Sequence, residues 1–379
     1  MRVALNATPL LSPLTGIGQY TYHLAKGLQE MSDLDVDFFY ATGWSRELRD
    51  KPVQNIVKLK SLVKRFIPYS YFSSRYLQQR NFNLGVKSKE LTLYHEPNFL
   101  PFKYAGPTIL TAHDLSWIRF PETHPIERVQ MMNKYFEPGL RKADLIITDS
   151  EFVKQELIDV FGMSPSMIKP IPLGAESLFY PRSIDETYGV LKKHNLTHGE
   201  YLLSVGTLEP RKNIQATLRA YMQLSPSIRK QFPLILVGMS GWRTSSLEQQ
   251  IEPLVRAGEI RQVGYLPREE LAVLVAGALT LIYPSVYEGF GLPPLEAMTC
   301  GVPVITSNVS SLPEVVGDTG FLVEPQDIDA LTKSIEMLVS APDIRQELSE
   351  KALARSQLFS WDNCVKLTKD AYYQVISKY

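Results

Sequence analysis

The chain is predicted to fold as α/β, with parallel sheets in two domains, and three observations carry that prediction. Short apolar, β-branched runs alternate with helical patterns along most of the chain. The rhythm stops once, in a stretch rich in proline and glycine, and then starts again. The 379 residues exceed what a single core serves comfortably and suit two α/β domains.

Arg2–Asn6 reads as the first strand, and Ile17, Tyr20, Leu24 and Leu28 then recur at helical spacing. Further strands are expected at Leu91–Tyr94, Thr108–Thr111, Leu145–Thr148, Tyr201–Val205, Leu234–Val237, Leu279–Tyr283 and Val302–Thr306. Helical patterns lie between most of them, which implies parallel sheets covered on both faces. The pause spans Pro170 to Gly199, so the expected domains are 1–180 and 181–360. Val365, Ala371, Tyr372 and Val375 mark a final helix, Trp361–Ser377.

Composition narrows the class. Hydrophobic residues make up 44%, which argues against disorder. No apolar run reaches the roughly 18–20 residues of a membrane span. Met-Arg-Val-Ala-Leu-Asn-Ala at the N-terminus has no long apolar core, so an export signal is not expected. Cys300 and Cys364 are the only cysteines, which suggests a reducing, cytoplasmic setting. The histidines and cysteines show no zinc-ligand spacing, so neither metal nor cofactor is expected. The formal net charge of zero hides one basic segment. From Lys51 to Lys89 there are nine basic residues and no acid, with Phe66, Tyr69, Tyr71, Phe72, Tyr76 and Phe82 among them. An anionic lipid surface suits such a segment, at about 1 kcal/mol per cation. A solvated helical face is the plainer reading. Single-stranded nucleic acid also binds cations interleaved with aromatics, but nothing else in the chain points that way.

Four segments carry chemistry. Thr15-Gly16-Ile17-Gly18 stands where the first strand hands over to a helix. Glycines there let the backbone approach a phosphate at a helix N-terminus, although a plain turn has the same form. Position 21 is Thr, so a full G-x-G-x-x-G is absent and a dinucleotide cofactor is disfavoured. Thr111-Ala112-His113-Asp114 ends an apolar strand. Ligand crevices lie at such ends, so His113 is read either as a sugar-hydroxyl partner or as a histidine satisfied by a backbone carbonyl. Glu209-Pro210-Arg211-Lys212-Asn213 follows another strand, opening a helix, and pairs a guanidinium fork with a point charge suited to a diphosphate. Glu288-Gly289-Phe290-Gly291-Leu292-Pro293-Pro294-Leu295-Glu296 is the most specific string. The prolines suit a helix start and put Glu296 in its first turn.

With these segments in this order, the chain resembles glycosyltransferase family 4, the retaining enzymes of GT-B fold, whose two Rossmann-like domains face each other across a cleft. The runs Ser204–Asn213 and Thr111–Ser116 are most similar to a branch rich in bacterial mannosyltransferases of O-antigen, lipopolysaccharide and other surface-polysaccharide biosynthesis. The resemblance implies a role for each residue. Arg211 and Lys212 neutralise the donor diphosphate, Glu296 binds the ribose, and Glu288 contacts the transferred sugar. Gly289, Phe290, Gly291 and Leu292 line the sugar–phosphate turn. His113 holds the sugar near its O6, and Gly16 and Gly18 approach the phosphates. Val263-Gly264-Tyr265-Leu266 lies beside the base. One departure is Thr207, where some relatives carry a phosphate-binding arginine. More of the phosphate charge then falls to Arg211 and Lys212.

The resemblance further implies metal-independent transfer of mannose from GDP-mannose, in α linkage, to an oligosaccharide or polyprenyl-diphosphate-linked acceptor. Residues 1–180 would bind acceptor and 181–360 the nucleotide sugar, with 361–379 crossing back to the first domain. Work at the inner face of the plasma membrane is the expected setting. The alternatives are a UDP-sugar-dependent family 4 transferase for glucose, galactose or N-acetylglucosamine, a GT-B sugar-nucleotide epimerase or phosphorylase, and a non-catalytic binding subunit.

Overall fold

Val3, Ala4 and Leu5 of the first strand are wholly buried, as expected of a strand covered on both faces. The structure, a computed structural model, describes residues 1–12, 14, 16–49, 70–207, 209–238 and 245–379. They form two units, Met1–Leu173 with Trp361–Tyr379, and Gly174–Ser360.

The first unit holds a seven-stranded sheet of order β3-β2-β1-β4-β5-β6-β7. The strands are β1 (Arg2–Asn6), β2 (Asp35–Phe39), β3 (Trp44–Ser45), β4 (Leu93–Glu96), β5 (Thr108–Ala112), β6 (Leu145–Thr148) and β7 (Ile168–Pro170). All pairs are parallel except β2 with β3. Strands β2, β3 and β7 go beyond the expected set, and one expected strand shifts. The strand expected at Leu91–Tyr94 lies at Leu93–Glu96, because His95 and Glu96 are buried polar residues whose partners are distant in sequence. Strand β2 escaped notice because Asp35 and Asp37 break its apolar pattern. Asp37 is buried yet paired with Arg2 at 2.7 Å and Lys89 at 2.5 Å.

The C-terminal helix Trp361–Ile376 belongs to this unit. Tyr372 hydroxyl lies 2.7 Å from His95 Nδ1, and Lys369 pairs with Asp33. Val365 packs where Gly27 offers no side chain: a Cβ on Gly27 would meet its Cγ2 at 2.6 Å.

The second unit holds a six-stranded, fully parallel sheet of order β10-β9-β8-β11-β12-β13. Its strands are β8 (Leu202–Val205), β9 (Leu234–Val237), β10 (Ile260–Gly264), β11 (Thr280–Tyr283), β12 (Val304–Ser307) and β13 (Phe321–Val323). Counted from β8, this is the order 3-2-1-4-5-6 of a doubly wound Rossmann sheet, whose switch point lies between β8 and β11. Strand β12 begins two residues later than expected, after Pro303, which has no N–H to give a ladder.

Candidate active site

The second unit's switch point is where the sequence-predicted cations and one predicted carboxylate meet. Strand β8 runs out at Val205 into Gly206, at φ 145°, and β9 runs out into Gly238, at φ 152°. A Cβ on Gly238 would lie 1.8 Å from the Gly206 carbonyl oxygen, so only glycine allows these backbones to touch. Arg211 and Lys212 do not open a helix, as the sequence suggested. They sit in a 3-10 turn, Pro210–Lys212, ahead of the helix Ile214–Gln223. Between turn and helix, Asn213 takes a left-handed conformation and its amide donates to the carbonyls of Pro284 and Pro325, at 3.0 and 2.7 Å. That clamp aims both cations inward.

Arg211 Nη1 donates to Glu288 Oε2 at 2.9 Å and to the Tyr287 carbonyl at 2.7 Å, while Nη2 donates to Glu209 at 2.7 Å. Lys212 Nζ donates to Glu288 Oε1 at 2.6 Å and also reaches the Tyr283 hydroxyl, which itself donates to Glu288 Oε1 at 2.9 Å. Burial alone would raise the Glu288 carboxyl, but the Lys212 and Arg211 cations bring it down to about 2. Burial lowers the Lys212 ammonium, and Glu288 only partly offsets this. The loop is fixed from behind. Glu288 N–H donates to Ser310 Oγ at 3.0 Å, and Ser311 Oγ donates to the carbonyls of Glu288 and Phe290, at 3.0 and 2.8 Å.

Gly291, at φ 118°, leads into the helix Leu292–Thr299. Glu296 is therefore the fifth residue of that helix and lies in its second turn, not its first, because the helix starts at Leu292, ahead of both prolines. Glu296 Oε1 accepts from Arg268 Nη2 at 2.7 Å, and Arg268 Nε donates to Glu176 at 2.7 Å. The Arg268 guanidinium also lies over the Phe179 ring, 4.7 Å from its centroid. Burial raises the Glu296 carboxyl, against the pull of Arg268. Gly289 and Phe290 are buried, and the Phe290 ring packs edge-on against Phe359, so its side chain serves the core. Leu292 is half-buried. Past β10, Tyr265 is 54% exposed, whereas Leu266 is buried in the core. Of these two, only Tyr265 has an exposed side chain.

His113, Gly16 and Gly18 belong to the first unit. Gly16 starts the helix Gly16–Gln29 and is exposed; Gly18 is buried, and a Cβ there would meet Leu14 at 3.2 Å. Thr15 lies outside the described residues. His113 directly follows β5 with both ring nitrogens engaged, Nδ1 with Asp149 Oδ2 and Nε2 with the Pro97 carbonyl, each at 2.8 Å. A sugar contact through Nε2 therefore exchanges with Pro97. Asp114 accepts from the N–H and hydroxyl of Ser116 and holds the turn after β5.

Sequence reasoning missed Tyr283, Arg268, Glu176 and Asp149, and gave Glu209 no role of its own within the Arg211-Lys212 string. Tyr283 and Asp149 had one usable signal: each ends, or directly follows, an apolar strand, where ligand crevices form.

Two sheets in one chain, parallel but for the β2–β3 edge pair, with a carboxylate clamped by two cations at the switch point of the second, define the class: a protein of two Rossmann-like units. A family model for group 1 glycosyl transferases matches residues 191–355, and one for glycosyltransferase family 4 matches residues 14–177. The chain is 38% identical over 380 residues to O-antigen chain mannosyltransferase B of Escherichia coli, covering 98% of this chain and 99% of that protein. It is 30% identical over 282 residues to the serotype-specific mannosyltransferase WbdA of Escherichia coli, which covers 71% of this chain but only 34% of that longer protein. Among solved structures, sucrose-phosphate synthase from Thermosynechococcus elongatus superposes with a TM-score of 0.78 at 25% identity, over 100% of both chains. The chain belongs to glycosyltransferase family 4 and has the GT-B fold of that family.

Proposed function

We propose that this glycosyltransferase is a mannosyltransferase of O-antigen assembly that takes mannose from GDP-mannose, retains the anomeric configuration and needs no metal. The observation that carries the reading is full-length similarity to an O-antigen chain mannosyltransferase, joined to a buried carboxylate that already holds the two cations a diphosphate needs.

In this reading Glu288 and the diphosphate compete for Arg211 and Lys212. An arriving diphosphate takes the two cations. Glu288 is then released to accept from hydroxyls of the sugar, and Glu296 accepts from the ribose. Transfer follows a front-face route. The leaving phosphate oxygen takes the proton of the incoming acceptor hydroxyl as the new glycosidic bond forms on the same face. Charge grows on the departing diphosphate, and preorganised cations stabilise it without reorganising.

The acceptor in this reading is a lipid-linked glycan, and the basic segment is where the protein meets the bilayer. Lys51 to Tyr69 lie outside the described residues. The rest of the segment divides into an inner and an outer face. Arg75 donates to the Leu100 and Pro101 carbonyls, Lys89 pairs with Asp37, and Phe82 is wholly buried. On the helix Ser70–Val86, Tyr76, Leu77, Arg80 and Leu84 share an arc of about 100°. Tyr76, Leu77 and Leu84 are 74%, 55% and 58% exposed, and Arg80 is exposed among them. An exposed apolar arc with a cation suits the headgroup boundary. Among the described residues no helix is long and apolar enough to cross a membrane.

The test is transfer from labelled GDP-mannose to lipid-linked acceptor in the presence of EDTA, with UDP-sugars and acceptor-free reactions alongside. Transfer from GDP-mannose alone supports the reading. Transfer only from a UDP-sugar replaces the donor. Conversion of donor without acceptor points to an epimerase or hydrolase, and no turnover of any donor overturns the reading.

A further inference from the structure

His113 and Asp149 each follow the last residue of a neighbouring strand. Strands β5 and β6 pair in register at Ala112 and Thr148, so the next residues emerge side by side. The ring and carboxylate meet in a closed space: Tyr20 and Phe99 pack nearly perpendicular to the His113 ring at centroid distances of 4.9 and 5.5 Å. His113 and Asp149 are 7% and 4% exposed.

A proton count constrains the pair. The Pro97 carbonyl on Nε2 has no hydrogen to give, so Nε2 must carry one. The contact between Nδ1 and Asp149 Oδ2 needs a second hydrogen, held by the ring or by the carboxyl. In both forms Nε2–H is a donor and never a lone pair. Asp149 Oδ1 is buried and makes no hydrogen bond, so all the hydrogen bonding of this carboxylate goes to the ring. Burial opposes charge on both partners and lifts the Asp149 carboxyl, but at the ring the 2.8 Å contact with Asp149 outweighs burial and pushes the imidazole pKa up. Asp114 adds to that pull. Of the other groups facing the pair, His95 is kept neutral by burial, and Tyr20 and Cys364 keep their protons for the same reason.

We infer that Asp149 is a positioning residue that holds His113 as an imidazolium, making it an obligate, charged hydrogen-bond donor to an oxygen of the donor sugar and not a base. This rests on the reading of His113 as a sugar contact. The hydrogen now given to Pro97 is the one a sugar oxygen takes.

The test uses the whole protein with GDP-mannose and two variants. In Asp149→Asn the carboxamide N–H donates to Nδ1, so the ring keeps its Nε2–H but loses its charge. Nitrogen-resolved NMR of His113 at neutral pH should show both ring nitrogens protonated in the parent and one in Asp149→Asn. The variant's kcat should fall about tenfold, the difference between a charged and a neutral donor, with little change in KM. Its rate should recover towards acid pH as the ring gains a proton, whereas the parent shows no such recovery. A loss that is equal at every pH is a structural effect and overturns the proposal, as does a neutral ring in the parent. If His113→Ala transfers normally, the sugar-contact reading fails and takes this proposal with it. If His113→Ala is impaired while Asp149→Asn matches the parent in rate and pH profile, only the role of Asp149 fails.

Discussion

Lys212 Nζ lies 2.6 Å from Glu288 Oε1, inside a site where Glu288 also holds Arg211. The carboxylate is thus the counter-ion of the cations that family resemblance gives to the diphosphate. Its acid behaviour follows from this. The Glu288 carboxyl stands at about 2, against an ordinary value of 4.5. A lowered carboxyl contributes stability that is complete above the ordinary value and is lost as pH falls through the lowered one. At about 1.4 kcal/mol per unit, this amounts to roughly 3 kcal/mol. Glu288→Gln should therefore lose less stability than the parent between pH 4.5 and 2, as read by denaturant unfolding across that range.

Removal of either cation should weaken transfer more than folding. Arg211→Ala or Lys212→Ala is expected to lower turnover about a hundredfold, the loss of one preorganised donor to a growing anion. The other cation still neutralises Glu288, so the stability loss should stay at about 1–3 kcal/mol. Single-turnover rates and melting curves on the same samples check both halves, and near-normal turnover in both variants would remove these residues from the mechanism.

Arg268 separates Glu176 from Glu296. Arg268→Ala leaves two acids facing each other beside the proposed ribose contact, and Glu296 then takes up a proton more readily. GDP affinity should fall about tenfold or more, with a smaller change in kcat, and calorimetric titration with GDP measures it.

The C-terminal helix is held to the first unit partly by the contact of Tyr372 with His95. Burial brings the His95 pKa down to about 3, so the ring is neutral and needs a hydroxyl at each nitrogen; Tyr372 and Thr111 supply them. Tyr372→Phe leaves Nδ1 buried without a partner and should cost about 1–3 kcal/mol. Gly27→Ala should also destabilise, although alanine is the better helix former, because its methyl meets the stiff Val365 side chain. Denaturant midpoints with unchanged slopes would establish both.

The outer arc of the helix Ser70–Val86 makes a separate prediction. Leu77→Ser with Leu84→Ser should weaken sedimentation with anionic vesicles at low salt while leaving transfer to a soluble acceptor unchanged. No sedimentation of the parent with anionic vesicles would remove the bilayer from the proposed function.

Much of the fold could be read from the sequence because a strand's apolar run and a helix's spacing depend on near neighbours. Strand β2 could not, since Asp37 is tolerable in a buried strand only because Arg2 and Lys89 reach it from elsewhere. The site was legible as separate strings. Arg211-Lys212 and Glu288 drew notice because unusual residues cluster within a few positions. Tyr283 and Asp149 are single residues at the ends of apolar strands, Arg268 is one charge among several at a helix start, and only their partners mark them.

The sequence by itself determined the α/β alternation, the strings that carry charge and glycine, and membership of glycosyltransferase family 4, because each is written in short-range order. Tertiary structure decided the rest. The order β9-β8-β11 sets Lys212 and Arg211 of one strand end against Glu288 of the next. The register of β5 on β6 sets His113 against Asp149. The energy of a buried charge depends on which opposite charge lies within a few ångströms, and that distance is a property of strand order and register, not of spacing along the chain.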